Sequence, residues 1–191
     1  TVDGNLDGLM IDAGEDLVVN ENEPVSLAVS TETAVESIAF KDTAVESYGG
    51  SGQDIDLSVR VEDDGDTVKL TGNGWKKIDY PTTVTADTIL EFDFRSGAEG
   101  EIHGIGFDND ENLSEDRMFK LHGSQDWGIR AYDNYGGDGQ WQHYRIRVGD
   151  HFTGDYAYLT FAMDQDVSNP DGESLFSNVR IHQEGEMDTS G

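Results

Sequence analysis

The chain has 191 residues, enough for one domain with a real core or one domain with a short appendage, and too few for two full-sized domains. Its 40 acidic residues against 12 basic ones leave a formal net charge of −28, which repels nucleic acid and anionic lipid and excludes both as expected partners. With no cysteine there is no disulfide framework and no thiol chemistry; nothing reads as a signal peptide, and no apolar run approaches the ~20 residues of a membrane span.

The 35% hydrophobic content, 23 glycines and regular alternation are those of a folded protein rather than a disordered acidic tail. A carboxylate-covered surface that stays hydrated while salt screens its self-repulsion is expected of a halophilic or marine source. The chain starts at Thr1 rather than Met, so a processed form or excised piece of an extracellular or surface-exposed protein (secreted, cell-surface or virion) is expected.

In chain order, residues 1–36 form an acidic segment without aromatic residues. Within it, Asp16–Asn20 and Pro24–Val29 predict two short strands around an Asn-Glu-Asn-Glu-Pro turn. Two strands alone are marginal, so this arm, or linker-module remnant, is expected to dock on the main domain or to join copies into a homo-oligomer or larger assembly. Residues 37–183 carry strand signals at Ile38–Phe40, Leu57–Val61, Val68–Thr71, Trp75–Tyr80, Ile89–Arg95, Glu101–Phe107, Met118–Leu121, Gly128–Tyr132, Tyr144–Val148, Tyr156–Met163 and Ser174–His182. Glycine-, Asn- and Asp-rich turns separate them, and no window reads as a helix. The predicted fold class is all-β, an antiparallel β-sandwich (jelly roll) with a short N-terminal β arm; residues 184–191 are expected to fray.

Two strands stand out. In Gly100–Asp110, period-2 alternation sets His103, Ile105 and Phe107 on one face and Ile102, Gly104, Gly106, Asp108 and Asp110 on the other. Strand glycines mark a close approach by a ligand or by another backbone. Tyr158–Asp166 repeats the design, with Asp164 and Asp166 at its end.

The strands Ile89–Arg95 and Tyr144–Val148 oppose core residues to a polar side holding Glu91, Asp93, Arg95, His143, Arg145 and Arg147. Extending the second strand backward adds Trp141, and Arg130 with Tyr132 is expected to join from the strand before. Such a face reads either as a ladder of ion pairs or as a surface for a polyhydroxylated ligand, with aromatic planes stacking on sugar C–H faces and charged forks binding hydroxyl pairs or uronates. The candidate ligand contacts are Trp141, Tyr135 and Trp127 for stacking, and His143, Arg145, Arg147 and Asp93 for polar groups.

Asp108-x-Asp110-x-Asn112 and Asp164-x-Asp166-x-Ser168 open like calcium loops, but Leu113 and Asn169 stand where an EF-hand needs glycine, and Phe119 and Leu175 where it needs glutamate. Two readings stay open for Asp108, Asp110, Asp164 and Asp166: solvated surface, as D-x-D pairs in so acidic a chain most often are, or the ligands of a structural Ca²⁺. No zinc spacing, nucleophile elbow, phosphate loop or H-E-x-x-H pattern occurs, so the chain is not expected to be an enzyme.

Ile38-Ala39-Phe40, Ser47-Tyr48-Gly49-Gly50, Leu70-Thr71-Gly72-Asn73-Gly74-Trp75-Lys76-Lys77-Ile78, Thr88–Phe94, Gly100–Asp108 and Ser174–Val179 together resemble a non-catalytic carbohydrate-binding jelly-roll module of the kind appended to secreted bacterial polysaccharide-degrading enzymes and surface proteins. The resemblance implies a β-sandwich that binds a polysaccharide or surface glycan without cleaving it, often with a structural calcium. The alternative expectation is a structural, adhesive or decoration domain of a halophilic cell surface or haloarchaeal virus particle, attached through residues 1–36.

Overall fold

The computed structural model describes residues 35–62 and 65–185. The predicted strands Asp16–Asn20 and Pro24–Val29, the assembly role expected of residues 1–36, and the end of the tail lie outside the described residues. Among the described residues nine strands follow in order: β1 (Glu46–Ser47), β2 (Asp56–Val61), β3 (Thr67–Val84), β4 (Thr88–Arg95), β5 (Ile102–Asp108), β6 (Met118–His122), β7 (Gln142–Arg147), β8 (Gly154–Asp164) and β9 (Glu173–Gln183). Four short 3₁₀ turns fill parts of the connections, and no helix among the described residues is long and apolar enough to cross a membrane.

The 18-residue β3 decides the architecture. Its N-terminal part pairs with β2 and β9, while Gly74–Val84 pairs with β8 and Lys76–Lys77 with β1. The strand therefore changes sheets at Gly72-Asn73-Gly74, where Gly72 takes a φ of 113° that a side chain would strain. The sequence pattern predicts a turn between two strands there; the glycines instead let one strand bend without stopping. The first sheet runs β6-β5-β8-β3-β1 and the second β7-β4-β9-β3-β2, antiparallel throughout.

Alternation explains the core between them. Leu90, Phe92 and Phe94 of β4 and Tyr144 and Ile146 of β7 are buried as their period-2 pattern predicts, against Ile105 and Phe107 of β5 and Leu159, Phe161 and Met163 of β8. Phe176 of β9 spans the two layers, its ring centroid 5.2 Å from those of both Phe94 and Phe161. Each such side chain contributes roughly 1.5–3 kcal/mol on leaving water. Phe40, expected in a strand, starts a 3₁₀ turn (Phe40–Asp42) whose ring still plugs the core, 5.8 Å from Phe161. Gly128–Tyr132 is likewise not a strand: it touches β6 through one Phe119–Ile129 bridge and then closes into the 3₁₀ turn Arg130–Tyr132.

One irregularity sets the polar surface. Opposite Glu91 and Asp93 the register of β9 shifts, with Asn178 at φ 52°. Phe176 and Val179, three residues apart, both reach the core. The bulge reverses the alternation beyond it and turns Arg180 and His182 toward the side chain of Glu91.

Candidate binding surface

β5 is buried along its whole length, so the glycine side is not an open floor. A β-carbon on Gly106 would come within 2.2 Å of the Arg117 carbonyl, and one on Gly104 within 2.9 Å of the Phe119 carbonyl. Of the two readings of these glycines, close approach by the chain's own backbone is the correct one. The outer side of this sheet is further filled by Tyr48, Trp75, Ile102, Met118 and Ala162.

The same geometry breaks up the four-aspartate calcium set. Because β5 and β8 are antiparallel, Ile102 pairs with Asp164 while Asp108 pairs with Tyr158. Six residues at ~3.4 Å each hold the two aspartate pairs about 20 Å apart. Asp108 is 1% exposed and saturated: it accepts from the Tyr48 hydroxyl and the Asn109 amide, and lies 3.1 Å from the Arg117 guanidinium. Burial and this carboxylate push the Tyr48 phenol far above its ordinary value. Asp110 caps the Asn112 amide.

At the other end, Asp164 and Asp166 meet a residue that the sequence reading passed over, Glu101, with oxygens of all three within 4.8 Å of one another. Burial raises the Asp164 carboxyl above its usual range, and the Asp166 and Glu101 charges add to the shift, while a hydrogen bond from Trp75 Nε1 (3.0 Å) opposes it. Asn73 donates to Asp166 at 3.1 Å, and the Asp166 amide donates to Glu101. Three of the six carboxylate oxygens thus already accept protein hydrogen bonds. These residues could hold a hard divalent cation, but they offer three open oxygens where Ca²⁺ takes six to eight ligands.

The three aromatic candidates do not form one platform, because the chain between β6 and β7 crosses from one sheet to the other. Trp127 stays with the first sheet, its ring 5.2 Å from Trp75 and edge-on to it. Tyr135 is inward, 7% exposed, with its hydroxyl 3.1 Å from the Ser96 carbonyl and 2.9 Å from that of Gln140. It ties the end of β4 to the residue before Trp141 and is not a stacking surface. Trp141 is 44% exposed. The Arg95 guanidinium lies over its indole, 4.9 Å from the ring centroid.

β4, β7 and β9 place the rest of the polar row beside this pair. His143 Nδ1 is 2.9 Å from Asp93, whose other oxygen accepts from Asn178 at 2.8 Å. Arg145 donates to Glu184 at 2.6 Å; Arg147 donates to Glu184 and, at 3.0 Å, to Asp87. Hydrogen bonding from Arg145 holds the Glu184 carboxyl below its usual range. Glu91 is the hub, 3.1 Å from His182, 3.3 Å from His143, 3.6 Å from Arg180 and 3.9 Å from Arg145. The ion-pair ladder is therefore real, and His143, Arg145, Arg147 and Asp93 are engaged with one another's neighbours. Arg130 does not join: it sits on the turn beside β6 and pairs with Asp126 at 2.6 Å. Arg180 and His182 take part instead, which strict alternation from Ser174 would have placed in the core.

Around the Tyr135 loop, Ser96, Gly97, Ala98, Glu99, His122, Gly136 and Gly137 line a polar cleft of about 300 Å³.

No family model and no curated protein matches the chain. Among solved structures it is similar to an arginine-to-alanine mutant of a family 29 carbohydrate-binding module, at 13% identity and a TM-score of 0.43 over 82% of this chain and 94% of that one. A lysine-to-alanine mutant of the same module complexed with cellulohexaose gives 13%, 0.42, 80% and 90%. A family 30 carbohydrate-binding module gives 18%, 0.36, 79% and 95%. Values this low support no residue-by-residue correspondence.

Proposed function

We propose that the chain is a non-catalytic glycan-binding module, extracellular or surface-exposed, whose ligand lies on the outer side of the second sheet against Trp141. The observation that carries this reading is an indole left 44% exposed on a sheet whose other side is a closed core. An exposed tryptophan costs the fold apolar surface in water, and a flat indole is suited to the C–H face of a pyranose ring. The carboxylates and guanidiniums around it are held in place by their mutual pairs, and of these side chains His143 and Arg145 are the half-exposed ones open to hydroxyl contacts. The calcium expectation is kept as a proposal in narrower form, at Glu101, Asp164 and Asp166 rather than at the four aspartates.

Affinity electrophoresis of the folded protein in high salt, against neutral and acidic polysaccharides, tests the reading. Retardation by at least one polymer is expected, with no release of reducing ends. Trp141→Ala is expected to weaken it about tenfold, or ~1.4 kcal/mol, at unchanged Tm. Absence of retardation by every polymer, or an unchanged Trp141→Ala variant, refutes it.

A further inference from the structure

Arg95 is the exception in the charge pattern. Arg60 pairs with Glu62, Arg117 with Asp108, Arg130 with Asp126, Arg145 and Arg147 with Glu184, and Arg180 with Glu91. Among the described residues Arg95 is the one arginine with no carboxylate within ion-pair distance, in a chain with 40 acidic residues. Its contact is the indole of Trp141. A guanidinium resting on an aromatic face keeps its in-plane N–H fork available, and that fork matches a carboxylate or sulfate bidentately.

The surroundings of this corner do not add net negative charge against a polyanion. In this row the four arginines Arg95, Arg145, Arg147 and Arg180 stand beside four carboxylates, Asp87, Glu91, Asp93 and Glu184, so their formal charges balance although Arg95 itself is unpaired with any of them. The patch is locally neutral on a molecule of net charge −28. We infer that the glycan bound at Trp141 is anionic, one sugar unit stacking on the exposed part of the indole while the carboxylate or sulfate of a neighbouring unit occupies the Arg95 fork. This rests on the glycan-binding reading and adds the ligand class to it.

Salt separates the long-range and contact terms. At about 0.1 M the Debye length is ~10 Å and the whole acidic surface opposes a polyanion; at about 1 M it is ~3 Å, and the direct fork contact persists while the repulsion is screened. Binding to an anionic polymer is therefore expected to strengthen with salt over this range, whereas binding to an uncharged polymer has no such dependence.

The test compares retention at about 1 M salt on polygalacturonate and its methyl-esterified form, and on a sulfated galactan and its desulfated form. The pair in which the charged polymer is preferred tells carboxylate from sulfate. A preference of about tenfold is expected from a charge-assisted hydrogen-bond fork. Arg95→Gln is expected to bring the ratio of charged to uncharged retention close to one, and Arg95→Lys to keep part of it; Trp141→Ala weakens retention on both. Equal retention on charged and uncharged forms, or a ratio untouched by Arg95→Gln in a protein of unchanged Tm, overturns the anionic ligand and leaves glycan binding standing. No retention on any polymer overturns both.

Discussion

Acidification should cost the fold stability through His103. This side chain is fully buried between the sheets. Its Nε2 accepts the Gly100 amide at 2.7 Å, so Nδ1 carries the proton and donates to the Ser174 hydroxyl at 2.8 Å. Burial, reinforced by His122 and Lys120, pushes its pKa from the usual 6.5 down to about 3. In the unfolded chain the imidazole takes a proton as pH falls through 6.5; in the fold it does not. Stability is therefore lost below pH 6.5, by about 1.36 kcal/mol per pH unit until the folded value is reached. At about pH 4.5 that is two units, or roughly 2.7 kcal/mol. The many carboxylates titrate over the same range, so the measurement is a difference: urea unfolding in high salt of the protein and of His103→Gln, at several pH values from about 7.5 to 4.5. His122, also held below its usual value by burial, is present in both proteins and largely cancels. The variant is expected to be the less stable at neutral pH, having lost two buried hydrogen bonds, and its deficit should shrink by about 2.7 kcal/mol by pH 4.5. A deficit constant across the range refutes the neutral buried imidazole.

Glu91→Gln removes the carboxylate charge facing Arg145 and Arg180, within hydrogen-bonding range of His143 and His182, at a site only 9% exposed. A loss of about 2 kcal/mol is expected by chemical denaturation near neutral pH, and a loss below about 0.5 kcal/mol would show the hub to be an ordinary surface pair. For calcium, Glu101, Asp164 and Asp166 give a defined expectation: at fixed ionic strength, millimolar Ca²⁺ raises the Tm of the protein more than that of Asp166→Asn. Equal shifts would place any ion effect elsewhere.

The parts of the site that were legible in the sequence are those where neighbours along one strand decide the outcome. Glu91 with Asp93, and His143 with Arg145 and Arg147, sit at alternate positions of β4 and β7. Pairing these two strands directly opposite one another was enough to make the row. Tyr135 turns inward and Trp127 packs on Trp75, away from Trp141, in a crossing segment with no period to read, where an aromatic residue serves the core and the surface equally well in one dimension. Arg180, His182 and Glu101 were missed for a different reason: the first two follow a bulge that a one-residue shift hides, and Glu101 meets Asp164 only through a register set by β5 and β8 pairing at long range.

By itself the sequence determined the all-β class, which residues of the central strands turn inward, and the acidity of the exterior, because alternation and composition are properties of a chain before it folds. Tertiary structure alone decided that β3 serves both sheets, that the glycines of β5 receive the chain's own backbone, that the two aspartate pairs stand at opposite ends, and that Arg95 is left with an indole instead of an acid. Each of these depends on which distant segments come to lie side by side, and antiparallel register converts separations along the chain into distances that no local pattern records.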